Sequence, residues 1–246
     1  MSQAVFSRPH HQRVAVILRS LRADFFKECE CYFGGGTAIA LRFGEFRESV
    51  DIDFLVSNAK GYGQLRGAVQ GASRISALFL PGSPVESLQE VRADQYGIRT
   101  RVGLLGSFIK FEIVLEGRIE FQPPKAQDSL EGLACLHPVD MIASKLLANS
   151  DRWNDSAVFS RDLIDLVMMD PPKSAWKHAY AKALEAYGLS VSHDLQAAID
   201  RIRCREGWFE TCAEKLSLSV PKALFFQRLK RLEQRMSILN QSGLQG

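Results

Sequence analysis

The chain has 246 residues, of which 46% are hydrophobic, 24% charged and 9% aromatic, a composition that excludes disordered, collagen-like and low-complexity chains and suffices for a sizeable core. Lys and Arg exceed Asp and Glu by only 31 to 28, too little for a dedicated nucleic-acid coat protein. No apolar run approaches the ~18–20 residues of a membrane helix, no signal peptide is evident at Val14-Ala15-Val16-Ile17-Leu18, and five scattered cysteines suit a reducing, cytoplasmic setting.

Val14, Ile17, Leu18, Leu21 and Phe25 are spaced for one face and predict a helix over residues 10–29. Cys31-Tyr32-Phe33 predicts a short strand ending in Gly34-Gly35-Gly36, after which Thr37 is placed to cap a short helix. Residues 50–56 alternate, with Val50, Ile52, Phe54 and Val56 on one face and Asp51 and Asp53 on the other. Residues 96–105 and 107–115 read as a hairpin around Gly106, and Gln122-Pro123-Pro124 as a linker. Beyond it helical periodicity takes over, with helices expected over 138–149, 156–169, 173–187, 193–204, 206–216 and 221–240. The expected organisation is a mixed α/β domain over 1–130 followed by a helical domain over 131–246. The last helix is basic: Lys222, Arg228, Lys230, Arg231 and Arg235 stand against Glu233 alone. Arg228, Arg231 and Arg235 fall on one face, which reads as a solvated surface or one that contacts phosphates.

Several chemistries are absent. There is no G-x-x-x-x-G-K-[ST], no third glycine to complete a dinucleotide fingerprint and no G-x-S-x-G elbow. Cys29-x-Cys31 lacks zinc spacing, and His10 and His11, adjacent on a helix, make a poor chelate. What stands out is the run from Gly34 to Phe54. A glycine turn lets backbone N–H groups approach an anion, and the helix N-terminus behind it adds a favourable dipole. Thr37 can add a hydroxyl. Asp51 and Asp53 share a strand face, with Cα atoms about 6.5–7 Å apart. Side by side they repel unless a cation lies between them, and Mg²⁺ takes carboxylate oxygens together with substrate phosphates. Each half is commonplace alone; together they are specific.

Gly35-Gly36-Thr37, a short helix and then Arg47-Glu48-Ser49-Val50-Asp51-Ile52-Asp53-Phe54 resemble the AbiEii/AbiGii nucleotidyltransferase toxins of the polymerase-beta-like nucleotidyltransferase superfamily. A second match joins Lys145, in Ile142-Ala143-Ser144-Lys145-Leu146-Leu147, to Arg161-Asp162-Leu163-Ile164-Asp165-Leu166. The two motifs span residues 34–166. The resemblance implies an α/β (α+β) nucleotidyltransferase domain with a mixed sheet, followed by an all-α C-terminal domain. It implies Mg²⁺-dependent transfer of NMP from an NTP to an acceptor hydroxyl, the 3′ end of tRNA, with release of pyrophosphate. The implied catalytic set is Asp51, Asp53, Glu112, Lys145 and Asp162, with Asp51, Asp53 and Glu112 on the metal. Period-two alternation indeed puts Lys110 and Glu112 on one strand face, opposite Ile109, Phe111 and Ile113. Gly35, Gly36, Thr37, Arg47, Ser49 and Lys145 would bind the nucleotide, Lys145 as a clamp on its triphosphate. Spacing leaves open whether Asp162 or Asp165 is the site acid. A cognate antitoxin protein is the implied partner, no membrane is involved, and Arg228, Arg231 and Arg235 would meet the RNA.

Plain readings stand beside these. Lys145 can snorkel from its helix, and Arg161 can pair with Asp165 one turn on. The rival functions are a small-molecule nucleotidyltransferase of the aminoglycoside-modifying kind and a non-catalytic RNA-binding module.

Overall fold

The structure, a computed structural model, describes residues 6–71, 74–87 and 90–243. It divides into two compact units, Met1–Glu45 with Ser49–His137 and Phe46–Glu48 with Pro138–Gly246.

The first unit opens with α1 (Pro9–Arg19) and α2 (Ala23–Glu28), where periodicity alone predicts a single helix. Ser20 ends α1, its hydroxyl donating to the Val16 carbonyl. Leu21 then forms a β-bridge with Phe79, and the Arg22 N–H donates to the Leu78 carbonyl. This extended step resets the helical phase, so Phe26 is buried in place of Phe25. Next come β1 (Cys31–Gly34), α3 (Gly35–Arg42), β2 (Ile52–Val56), α4 (Ala59–Gln70) and a 3-10 turn (Arg74–Leu78). The short strands β3 (Glu86–Ser87) and β4 (Arg92–Ala93) precede the hairpin of β5 (Gly97–Leu104) and β6 (Ser107–Leu115). That hairpin turns on Leu105 and Gly106, both left-handed with φ of 51° and 74°, as a two-residue type I′ loop requires. Val50 lies outside β2 and is exposed, so the alternating run begins two residues later than its pattern suggests.

The strands form one mixed sheet in the order β1-β2-β6-β5-β3, with β4 also on β5. β2 and β6 are parallel, and the other pairs are antiparallel. One sheet face is core. Ile52, Phe54 and Val56 of β2 and Ile109, Phe111 and Ile113 of β6 are all buried. The Phe54 ring lies 4.6 Å from Phe26, 5.4 Å from Phe33 and 5.6 Å from Phe111. The opposite face carries Asp53, Arg99, Arg101, Lys110 and Glu112, as strand alternation and register require. The unit continues through β7 (Ser129–Leu130) and β8 (Leu133–Ala134) to His137. Past Pro123-Pro124 the chain returns to β1, where the Leu136 N–H donates to the Phe33 carbonyl.

The second unit holds α5 (Pro138–Arg152), α6 (Arg161–Met169), α7 (Lys173–Tyr187), α8 (Ser190–Cys204), α9 (Trp208–Lys215) and α10 (Lys222–Gly243). The helix expected over 156–169 is split: a 3-10 turn (Ser156–Val158) precedes Phe159 and Ser160, both left-handed. The Ser160 hydroxyl accepts the Trp208 indole N–H at 2.9 Å, which holds the break. Phe46–Glu48 joins this unit, Glu48 donating to the Leu216 carbonyl and Ser219 to the Phe46 carbonyl. Among the described residues no helix is long and apolar enough to cross a membrane.

Phe54 contacts three other rings of the aromatic cluster and is fully buried. Phe54→Ala is expected to cost about 3–5 kcal/mol and the exposed Val50→Ala less than about 0.5 kcal/mol, read as shifts in urea unfolding.

Candidate active site

Asp51 and Asp53 stand at the entry to β2, and the residues before them are braced from two helices. Thr37, fully buried in the first turn of α3, caps nothing. Its hydroxyl lies 2.9 Å from the Ser49 hydroxyl and bonds the Asp51 carbonyl. His11 of α1 accepts the Ser49 N–H on Nε2 at 3.2 Å. Its proton therefore sits on Nδ1, which donates to Glu45 Oε1 at 2.7 Å. Burial lowers the His11 pKa against the opposing pull of Glu45, so the ring is neutral at neutral pH. Glu45 would be raised by burial, but hydrogen bonds from Ser7, His11 and the Arg8 amide bring it down to about 2. His10 adds a contact of 3.1 Å from Nε2 to the Val50 carbonyl. The histidine pair is no chelate; it holds the approach to the aspartates.

Gly35 has two reasons to be glycine. Its φ is 67°, and a Cβ there would come within 2.4 Å of Asp53 Oδ2. The start of α3 is thus pressed against the Asp53 carboxylate. The first-turn amides of such a helix have no partner within it, so Gly35 and Gly36 keep an anion-accepting end open beside an acid. Thr37 and Ser49, expected on the nucleotide, hydrogen-bond each other.

Glu112 is the register partner of Asp53 across β2 and β6, as its placement on a neighbouring strand requires. It is also paired. Lys110 Nζ donates to Oε2 at 2.6 Å, and Arg99 Nε lies 3.4 Å from Oε1, leaving the side chain 15% exposed. Among the described residues no three His, Cys, Asp or Glu gather as a metal cluster. The donor set that suits Mg²⁺ is Asp51 with Asp53, since that ion binds through one or two carboxylates and takes its other ligands from water and substrate phosphates.

The second unit contains a separate buried network. Lys145 Nζ is 2.8 Å from Asp162 Oδ1 and 2.8 Å from Asp165 Oδ2, so both acids orient it. Arg152 forks onto Asp162 at 2.7 and 3.0 Å, and Arg47 onto Asp165 at 2.7 and 2.9 Å. Three cations meet two carboxylates here, and Asp151 also acts on Arg152. Burial would raise Asp162, but Lys145 and then Arg152 hold it well below the usual carboxylate range. Arg161 makes no ion pair among the described residues. In α10 the three arginines converge on Asp170. Arg231 hydrogen-bonds it, Arg235 lies at 3.0 Å and Arg228 at 4.0 Å, with Arg228 also donating to the Met168 carbonyl.

The sequence pattern gives no role to Arg152 or Asp170 and makes His11 only half of a poor chelate. Arg152 had a signal, since it follows Lys145 by seven residues and so shares its helix face. His11 and Asp170 had none, because their partners lie 34 and 61 residues away.

Two tests follow from this geometry. Gly35→Ala adds left-handed strain of about 1–2 kcal/mol and displaces Asp53; activity is expected to fall far more than the unfolding midpoint. Asp162, with its pKa lowered, contributes stability in full above the unfolded value of about 4 and loses it as pH falls toward the folded value. Asp162→Asn is expected to flatten that acid loss in unfolding midpoints measured from about pH 5 downward.

Against known proteins, the chain matches the family model described as nucleotidyl transferase AbiEii toxin, type IV TA system, over residues 16–236. No curated protein matches it. Among solved structures, a provisionally assigned nucleotidyltransferase from H. pylori is similar at a TM-score of 0.50 and 16% identity, over 95% of this chain and 94% of that one. JHP933 from Helicobacter pylori gives a TM-score of 0.44 at 17% identity, over 98% and 100%. At such identity the first of these likenesses speaks for the fold alone.

Proposed function

The chain belongs to the AbiEii family of nucleotidyltransferase toxins of type IV toxin–antitoxin systems, and from that premise we propose that it moves NMP from an NTP to the 3′-hydroxyl of tRNA. The observation that carries this reading is Asp51 and Asp53 at the entry to β2, with Gly35 and the start of α3 against Asp53. Gly35 and Gly36 leave backbone amides open to the nucleotide's phosphates. Thr37, Ser49 and His11 act by holding residues 49–51, a positioning role. Glu112, beside Asp53, is assigned as the base for the acceptor hydroxyl. The acceptor oxygen bonds the α-phosphorus, the bond to pyrophosphate breaks, and the proton passes to that base. Mg²⁺ held by Asp51 and Asp53 would supply charge neutralisation on the phosphates. Lys145 is read as the anion-binding lysine and Asp162 as the acid that orients it, the roles the family resemblance gives them. An antitoxin partner follows from the family, and a cytoplasmic location from the substrates. The α10 arginines share Asp170, so reversing them would first unbalance that cluster.

Purified protein incubated with Mg²⁺, each labelled NTP and total RNA is expected to label tRNA-sized RNA. Asp53→Asn should lose several kcal/mol of transition-state stabilisation, about a thousandfold or more in rate, with its unfolding midpoint retained. A variant as active as the wild type would remove Asp53 from the chemistry. Label in small molecules and not in RNA would move the acceptor to another class.

A further inference from the structure

The geometry points to the uncovered face of β4, β5 and β6 as the surface on which a single-stranded RNA end lies while its terminal hydroxyl reaches Asp53 and Glu112; the inference rests on the transfer reading above. Outward positions on β6 run Phe108, Lys110 and Glu112 at two-residue steps of about 6.5–7 Å. β5 sets Arg101 opposite Lys110 and Arg99 opposite Glu112, and β4 sets Arg92 opposite Arg99. Four cations thus share one face beside the aspartates. Lys110 and Arg99 are engaged with Glu112, and Arg99 also with Asp94. Arg92 and Arg101 are exposed and make no ion pair or side-chain hydrogen bond among the described residues. Glu86 of β3, opposite Gly103, is the one other acid on the outward positions of β3 to β6 among the described residues.

Phe108 completes the strip. It is 63% exposed and faces Gly103 across the hairpin, a neighbour with no side chain to cover the ring. Its Cα lies about 13 Å along the strand from that of Glu112. Free guanidinia joined to an open aromatic ring are what a polynucleotide needs, charge for phosphates and a flat face for a base. A single-stranded end supplies the unstacked base that a duplex does not. A protein partner would be met by a wider apolar patch with fewer unmatched charges.

The test uses the full chain, without Mg²⁺ or NTP, and a labelled single-stranded oligoribonucleotide with a free 3′-hydroxyl, titrated by fluorescence anisotropy over a range of salt. The variants are Arg92→Glu with Arg101→Glu, and Phe108→Ala; none of these residues touches Glu112. Loss of two phosphate contacts should shallow the plot of log affinity against log salt by about 1.4, at roughly 0.7 per contact. Loss of one base stack should weaken binding about 5- to 150-fold. NTP binding by equilibrium dialysis should match the wild type, and RNA labelling at limiting RNA should fall in step with affinity. Should the reversed pair fail to fold, Arg92→Gln with Arg101→Gln must show the same shallower slope. Unchanged affinity and slope in all variants, with the wild type still labelling RNA, overturns the surface and leaves the transfer reading standing. A wild type that labels no RNA overturns the reading beneath it. Variants that lose antitoxin binding yet keep RNA affinity also overturn the inference and make this face a protein interface.

Discussion

Two carboxylates in register on adjacent strands set the terms for one whole side of the sheet. Asp53 and Glu112 face each other across β2 and β6, and like charges so placed repel. An apolar layer over them would add the larger cost of burying charge. The sheet is therefore two-faced. Phe33, Phe54 and Phe111 crowd one side, and the charges occupy the other with Phe108. Lys110 and Arg99 offset Glu112, and Gly35 gives Asp53 room that any other residue would fill. Cations stand beside Glu112 and a glycine stands beside Asp53. Only the second leaves its carboxylate next to the open end of a helix.

This division explains what was legible in the sequence. The glycine run, Asp51-x-Asp53, the hairpin at Gly106 and the alternation of Lys110 and Glu112 each depend on contacts within a few residues or on strand period, and so appear as local pattern. The limits of local pattern appear at Ser20, where a tertiary bridge from Leu21 to Phe79 overrode a helical period that ran on through Phe25. Phe159 and Ser160 show the same limit, since the Trp208 indole that satisfies the break lies 48 residues away. Lys145 with Asp162 and Asp165 was legible as a family motif. That both acids bind it, each held by its own arginine, was not.

Residues expected to touch the ligand also hold other residues. Thr37, Ser49 and Arg47 all fall within the motif, and the structure gives each a protein partner. Residue types alone cannot separate these roles, because a hydroxyl or guanidinium suits a phosphate as well as it suits a carbonyl or carboxylate. Burial separates two of the three from the aspartates, while Ser49 is half-buried as they are. Thr37 is fully buried and Arg47 nearly so, whereas Asp51 and Asp53 remain partly open.

The braces differ in kind from what they brace. His11 meets Ser49 as a neutral ring whose Nε2 accepts a backbone N–H, and that acceptor exists only while the ring is unprotonated. Thr37 meets Asp51 through the carbonyl, leaving the carboxylate uninvolved. The backbone before β2 is thus fixed by neutral hydrogen bonds that neither add to nor cancel the charge of the aspartates. A brace on a carboxylate would act on the charge that a cation must find; a brace on the backbone does not. Holding the chain by its backbone places the carboxylates without using their oxygens as the brace, a condition under which preorganised electrostatics can act on a phosphate.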